Sequence, residues 1–546
     1  MKKRILILTG MIFTIVSSWA CTNLLVGKAA SIDGSTMVTY SADSYALYGE
    51  LYHWPAATYP ANTWLDIREW DSNKYLGKIP QVSQTYNVIG NMNEYQLCIG
   101  ETTFGGRPEL VDTTGIMDYG SLIYIALQRS KTAREAIKVI TDLVAAHGYC
   151  SSGESFSIVD KNEVWILEMV GKGVGNKGAV WVAVRIPDDC ISAHANQSRI
   201  QQFPLNDKEN CMYSKDVISF ARAKGYFNGK DSEFSFAKTY NPLDWGGIRF
   251  CEARVWSFFN QYTNNAGQWL PYILGETPEP MPLYVKPNRK LGVKDLMASM
   301  RDHYEGTPLD PTKDIAAGPF GSPYRFHPLS WEFEGEKYGF ERPTSTQQTG
   351  FTFVAQMRNH LPDEIGGVFW FGVDDARFTV FTPMYPCMTE TPECYRVGTA
   401  DFTTFSWNSA FWVHNWVANM AYARYNQVLV DAAALQDKLE NGYLASQPAT
   451  EQKAKELLQA GKKQAVEFLT NYSTSEAQKM LSEWKSFGEY LIVKYKDGVV
   501  MKEENGKFIH NEYGGSQYPN RPKFDENYLR AIVKDKGEWL KEKEIK

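Results

Sequence analysis

The feature that most constrains this chain is a cysteine standing where the mature polypeptide is expected to begin. Lys2, Lys3 and Arg4 form a basic head, residues 5–16 are mostly apolar, and Ser18-Trp19-Ala20 puts small residues at the two positions a signal peptidase reads. That is the pattern of a secretory signal, too short for a spanning helix. The expectation is a chain that starts at Cys21 in the periplasm or secreted, with a free thiol and a free α-amine on the same residue.

Loss of Lys2, Lys3 and Arg4 moves the formal net charge from −6 to −9. So acidic a chain carries no electrostatic footprint for nucleic acid or anionic lipid. No later stretch is apolar enough for a membrane span. Aromatics make up 14% of the residues, which suits a dense body with grooves. There are eight cysteines, and setting Cys21 aside leaves an odd number for an oxidising compartment. Cys387 with Cys394 and Cys190 with Cys211 are candidate disulfide partners that spacing alone does not assign. No CxxC or Cys/His cluster has zinc spacing, so neither a metal nor a cofactor is expected. His303 with Glu305 reads as packing.

Residues 22–26 and 36–40 read as strands joined by a turn with the Asp33-Gly34 signal, an N-terminal hairpin. Residues 86–89 and 96–100 read as a second strand pair. Helical spacing runs through 121–146, where Ile123, Ala126, Leu127, Ala133, Ala136, Ile137 and Ile140 share a stripe. Strands follow at 156–159, 164–169 and 180–184. Gly173, Gly175 and Gly178 spell GxGxxG, but a strand follows where a dinucleotide site needs a helix, so they read as a hairpin loop. Residues 275–287 read as a surface connection, 350–380 as strands around a helix, and 415–439 and 450–487 as long helices. The expected organisation is a signal (1–20), a catalytic domain (21–400), a helical C-terminal region (401–490) able to cover the core or build a homo-oligomer interface, and a charged tail (491–546).

An N-terminal cysteine carries its own base. Its free α-amine titrates at about 7.7–8.0, near working pH. It can take the thiol proton and later return it to a leaving amine. No histidine or metal is needed. The rival reading, a lipid-anchored cysteine, meets Ser18 where lipoprotein signals usually carry an aliphatic residue.

Cys21-Thr22-Asn23-Leu24-Leu25-Val26-Gly27-Lys28 with Asp33-Gly34-Ser35-Thr36-Met37 resembles the mature start of the cysteine dipeptidases of the N-terminal-nucleophile hydrolase superfamily. Matching segments follow in order: Ile89 to Glu94, Gly100 to Gly106, Met117 to Gly120, Lys131 to Ala136, Gly153 to Phe156, Ala195 to Ile200, Arg301 to Thr307 and Leu361-Pro362. Choloylglycine hydrolases, penicillin V acylases and acid ceramidases are similar at greater distance.

The resemblance implies an α+β fold, a four-layer αββα sandwich with an added helical C-terminal region, and hydrolysis of small peptides. It also implies site roles. Cys21 is the nucleophile, Asp43 the carboxylate that holds its amine, and Asn196 an oxyanion donor. Thr103 falls near the second oxyanion position. Arg254, with Arg249 as the alternative, is the distal arginine. Tyr40 stands where relatives carry arginine, so positive charge must come from Arg254, Arg249 or Lys28. Two other readings stay open: an acyl-amide hydrolase with the same nucleophile, and a surface lipoprotein that binds glycans or peptides.

Overall fold

A computed structural model describes residues 21–326 and 329–544; the signal at 1–20 lies outside the described residues. The strands of the two large sheets run in chain order as β1 (Asn23–Val26), β2 (Thr36–Asp43), β3 (Cys98–Gly105), β4 (Gly153–Val159), β5 (Val164–Gly171), β6 (Ala179–Ile186), β7 (Ile191–His194), β8 (Thr349–Met357), β9 (Gly367–Val373) and β10 (Thr382–Met384). The seven-stranded sheet has the order Tyr284–Val285, β7, β1, β2, β8, β9, β10. The eight-stranded sheet continues β6-β5-β4-β3 at one end with Cys211–Tyr213 and at the other with three two-residue strands. Neighbouring strands are antiparallel throughout.

A half-covered antiparallel sheet alternates apolar and polar residues. Here every residue of β2, β4, β5, β8 and β9 is buried, so both faces of both sheets are covered. One cover is the other sheet, since β2 packs on β3 and β4. The other is helical: α1 (Tyr119–Arg129) and α2 (Ala133–His147) lie on the eight-stranded sheet, and α3 (Ala253–Tyr262) and α4 (Val293–Met300) on the seven-stranded one.

The stripe at 121–146 is two helices. Thr132 caps α2 by accepting from the Glu135 N–H, while Glu135 reaches back to the Lys131 N–H at 2.7 Å, so a new helix starts where the apolar spacing alone continues. The C-terminal helices are longer than the spacing suggests: α5 (Ala410–Tyr422), α6 (Tyr425–Ala460) and α7 (Lys462–Lys494). Buried ion pairs key α6 to the layers beneath it, Arg301 at the end of α4 to Glu440 at 2.5 Å and Arg358 at the end of β8 to Glu451 at 2.6 Å. The disulfide expectation fails. All eight cysteines are free, and Cys387 and Cys394 donate to different carbonyls, Glu364 and Ala477. His303 is fully buried, and no group of residues suited to hold a metal occurs among the described residues.

Candidate active site

Cys21 sits at the head of β1, a strand locked between β7 and β2. Its side chain is buried, and the polar groups around the thiol come from β2 and β3. From β2, the Tyr40 hydroxyl lies 3.8 Å from Sγ; from β3, Glu101 Oε1 lies 3.6 Å from it. Tyr40 also donates to Glu101 Oε1. The close approach of the two sheets depends on Gly100. A Cβ there would lie 2.5 Å from the Asn23 side chain, so no larger residue fits. Orienting the Asn23 amide by its hydrogen-bond network, it donates to the main-chain oxygens of Thr22 and Glu101 and accepts from the Glu101 N–H, which pins the acid beside the thiol.

Arg254 enters from α3, just after a π-helical turn at Gly247–Glu252, a distortion frequent at functional sites. The guanidinium is wholly buried and meets only neutral acceptors. It donates to Cys21 O at 2.5 Å, Thr22 Oγ1 at 2.7 Å, Ala195 O at 3.1 Å, Asn196 Oδ1 at 3.0 Å and Phe250 O at 2.8 Å. Asn196 follows β7 with φ +60°, a left-handed backbone that asparagine tolerates better than most residues. Because Arg254 holds its oxygen, the amide nitrogen must point the other way. One N–H goes to Thr103 O at 2.8 Å and the second remains available.

Asp43 closes β2. Its carboxylate is fully buried, paired with Arg342 at 2.6 Å and accepting from Thr349 and Ser41 hydroxyls at 2.6 and 3.0 Å. Thr103 joins the site through its carbonyl; its hydroxyl donates to Glu154 at 3.0 Å. Arg249 is turned away and pairs with Glu341, and Lys28 pairs with Asp188. The cations beside the site are therefore Arg254 and Arg342.

Sequence reasoning singled out neither Arg342 nor the acids Glu101 and Glu154. Register explains the acids: Thr103 pairs with Glu154 across β3 and β4, and Glu101 lies two residues before Thr103 on the same strand face. A lone glutamate inside the otherwise uncharged strand 98–105 was the available signal. Arg342 carried none, because it comes from a loop almost 300 residues after Asp43.

Burial pushes the Cys21 thiol well up, and the nearby charges of Glu101 and Asp43 push it the same way; the Asp43 main-chain N–H and the Tyr40 hydroxyl pull less strongly down. At neutral pH the thiol holds its proton, so the site needs a base. Burial also raises Glu101 and, much further, Glu154, and the two carboxyls hydrogen-bond to each other. A hydrogen bond between two carboxyls requires that they share one proton. A wider cavity of about 440 Å³ runs past Gln197, Ser198 and Glu252, but Cys21 does not line it.

Peptidase family C69 matches residues 20–53 and 46–438. A probable dipeptidase of Latilactobacillus sakei is 28% identical over 74% of this chain and 82% of the relative. A probable dipeptidase of Salmonella dublin is 27% identical over 68% and 81%, and dipeptidase A of Lactobacillus helveticus is 26% identical over 74% and 82%. With the match running through most of its length, the chain belongs to peptidase family C69, the cysteine dipeptidases of N-terminal-nucleophile type, and is a hydrolase of peptide bonds.

Proposed function

We propose that this is an exported dipeptidase in which removal of residues 1–20 turns Cys21 into both nucleophile and base. The observation that carries the reading is the buried Cys21 thiol at the head of a central strand, with the Arg254 guanidinium on its carbonyl and the Asn196 amide beside it. No histidine hydrogen-bonds to the thiol among the described residues, and its protonated resting state calls for a base that is released with the new N-terminus. The α-amine takes the thiol proton, the thiolate attacks the peptide carbonyl, and the amine returns the proton to the departing amino acid. Water then attacks the thioester, giving its proton to the amine, and that proton passes to the departing Cys21 thiolate as the first amino acid leaves.

Asn196 donates its second amide N–H to the developing oxyanion, with Thr103 bordering that position. Asp43 orients the new amine. Arg254 is a positioning residue that fixes Cys21 and the Asn196 amide together. The two sheets with helices outside them support the four-layer αββα arrangement of the superfamily, and α5 to α7 form its added helical region. Replacement tests the nucleophile: Cys21→Ala should fold normally and lose turnover of all dipeptides. Near-normal hydrolysis by that variant would defeat the assignment.

A further inference from the structure

The acidic side of the site has no use in the steps above. Glu101 and Glu154 are both at least nine-tenths buried, and the oxygens Glu101 Oε2 and Glu154 Oε1 find no donor in the protein beyond the proton the two acids share. Asp71 lies nearby at the exposed rim, accepting from Tyr119 Oη at 2.8 Å; the surrounding protein and the other acids raise its carboxyl to about 7. None of the three forms an ion pair among the described residues. Burying a charge without a counterion is costly. A folded protein relieves that cost either by keeping the acid protonated or by receiving a cation from outside.

Against Tyr40 and Tyr119 lies a cavity of about 30 Å³, walled also by Tyr52, Trp54, Trp70 and Phe351 and lined by none of the three acids themselves. The volume suits one ammonium group or one water. Aromatic faces attract cations. Two wall residues connect the cavity to the carboxyls, since Tyr40 donates to Glu101 and Tyr119 to Asp71. The same Glu101 lies 3.6 Å from Cys21 Sγ, within one residue's reach of the bond to be cut.

We infer that Glu101, backed by Glu154 and the aromatic wall, receives the free α-ammonium of the substrate and so restricts the enzyme to peptides with an unblocked N-terminus. This rests on the reading of Cys21 as nucleophile. The distance measured from the thiol sets the register: with the ammonium at Glu101, the first peptide carbonyl of the substrate is the one presented to Sγ. The arriving cation also neutralises one of the two charges that hold the thiol protonated. An unblocked substrate thereby assists formation of its own nucleophile.

The test uses the processed enzyme, the unblocked dipeptide it hydrolyses fastest from a panel, and the N-acetyl form of that dipeptide. The quantity read is the ratio of kcat/KM for the two. In wild type the ratio strongly favours the free amine. Glu101→Gln keeps the shape and removes the charge, and should lower the ratio by about 10–100-fold, the range for a hydrogen bond to a charged group. Asp71→Asn, at the rim, should lower it by roughly 3-fold and serves if the buried variant folds poorly. A ratio unchanged in both variants would overturn the inference, even if absolute rates fall, because a loss shared by both substrates means that Glu101 serves the Cys21 thiol or amine instead. Cys21→Ala run in parallel separates the two claims: turnover by that variant defeats the nucleophile, whereas an inert variant beside an unchanged ratio defeats only the ammonium site.

Discussion

Arg254 donates to the carbonyl oxygen of Cys21 at 2.5 Å, so a side chain from a helix more than 230 residues along fixes the backbone of the chain's first described residue. The same guanidinium holds the Asn196 side-chain oxygen. One planar group thus ties the Cys21 backbone to the Asn196 side chain. Lysine offers a point charge on a flexible stem and cannot span those acceptors.

The first prediction follows from that geometry. Arg254→Lys should lower kcat by roughly 10²-fold, the scale of a misplacement near 1 Å, with a smaller change in KM. Steady-state kinetics with a thermal melt in parallel checks it. Normal kcat in a stable variant would remove the positioning role.

Asn196→Ala should lower kcat by about 10²–10³-fold, the usual loss for one oxyanion donor, with KM changing much less. Alanine at φ +60° also strains the backbone. Asn196→Gly separates the two effects, because glycine accepts that backbone but carries no amide. It should melt closer to wild type and show the same loss of kcat. A glycine variant with normal turnover would reduce Asn196 to a turn residue.

Stability should fall as pH rises through neutrality. Burial raises the carboxyl of Glu168 to about 7 and that of Asp374 to about 8. Unfolded carboxyls titrate near 4, so between about pH 4 and 8 the folded state binds more protons than the unfolded one. The stability these protonated acids contribute is complete below pH 4 and is lost as pH passes their folded values. Asp374 accepts from Asn415 through one oxygen and leaves the other without a donor, so Asp374→Asn should flatten the slope. Denaturant midpoints at pH 5, 6, 7 and 8 read it; identical slopes in wild type and variant would contradict the account.

Glu440 is completely buried and accepts from Arg301, Lys294 and the Phe381 N–H. Glu440→Gln leaves the Arg301 guanidinium without its counter-charge and should cost about 3–5 kcal/mol. A chemical denaturation curve measures the loss. A change below about 1 kcal/mol would mean that α6 is not keyed to α4 by this pair.

Much of the site was legible because its chemistry is carried by rare residue types in sequence context. The cysteine after a cleavage pattern, Asn196 from a segment resembling a family and the candidate distal arginine Arg254 are linked by hydrogen bonds from the Arg254 guanidinium to the Cys21 carbonyl and the Asn196 side chain. Glu101 and Glu154 were hidden because their meaning depends on cross-strand register, which places Glu154 opposite Thr103. Arg342 was hidden because a loop arginine has no local signal until Asp43 is seen beside it. Helix limits failed where caps and not apolar spacing decide them, as at Thr132. The cysteine pairs failed because nearness along the chain does not align side chains: Cys190 donates to Asp189, and Cys387 and Cys394 point to different helices.

The central claim is that Cys21 acts only once its amine is free. The direct measurement compares two preparations, each with its N-terminus established by intact mass: the precursor with residues 1–20 held in place by an uncleavable signal, and the chain beginning at an unmodified Cys21. The processed chain should hydrolyse unblocked dipeptides and the precursor should be inert, because its Cys21 nitrogen is a peptide nitrogen and cannot accept a proton. Full activity in the intact precursor, or a lipid adduct on Cys21 in the active protein, would contradict the account.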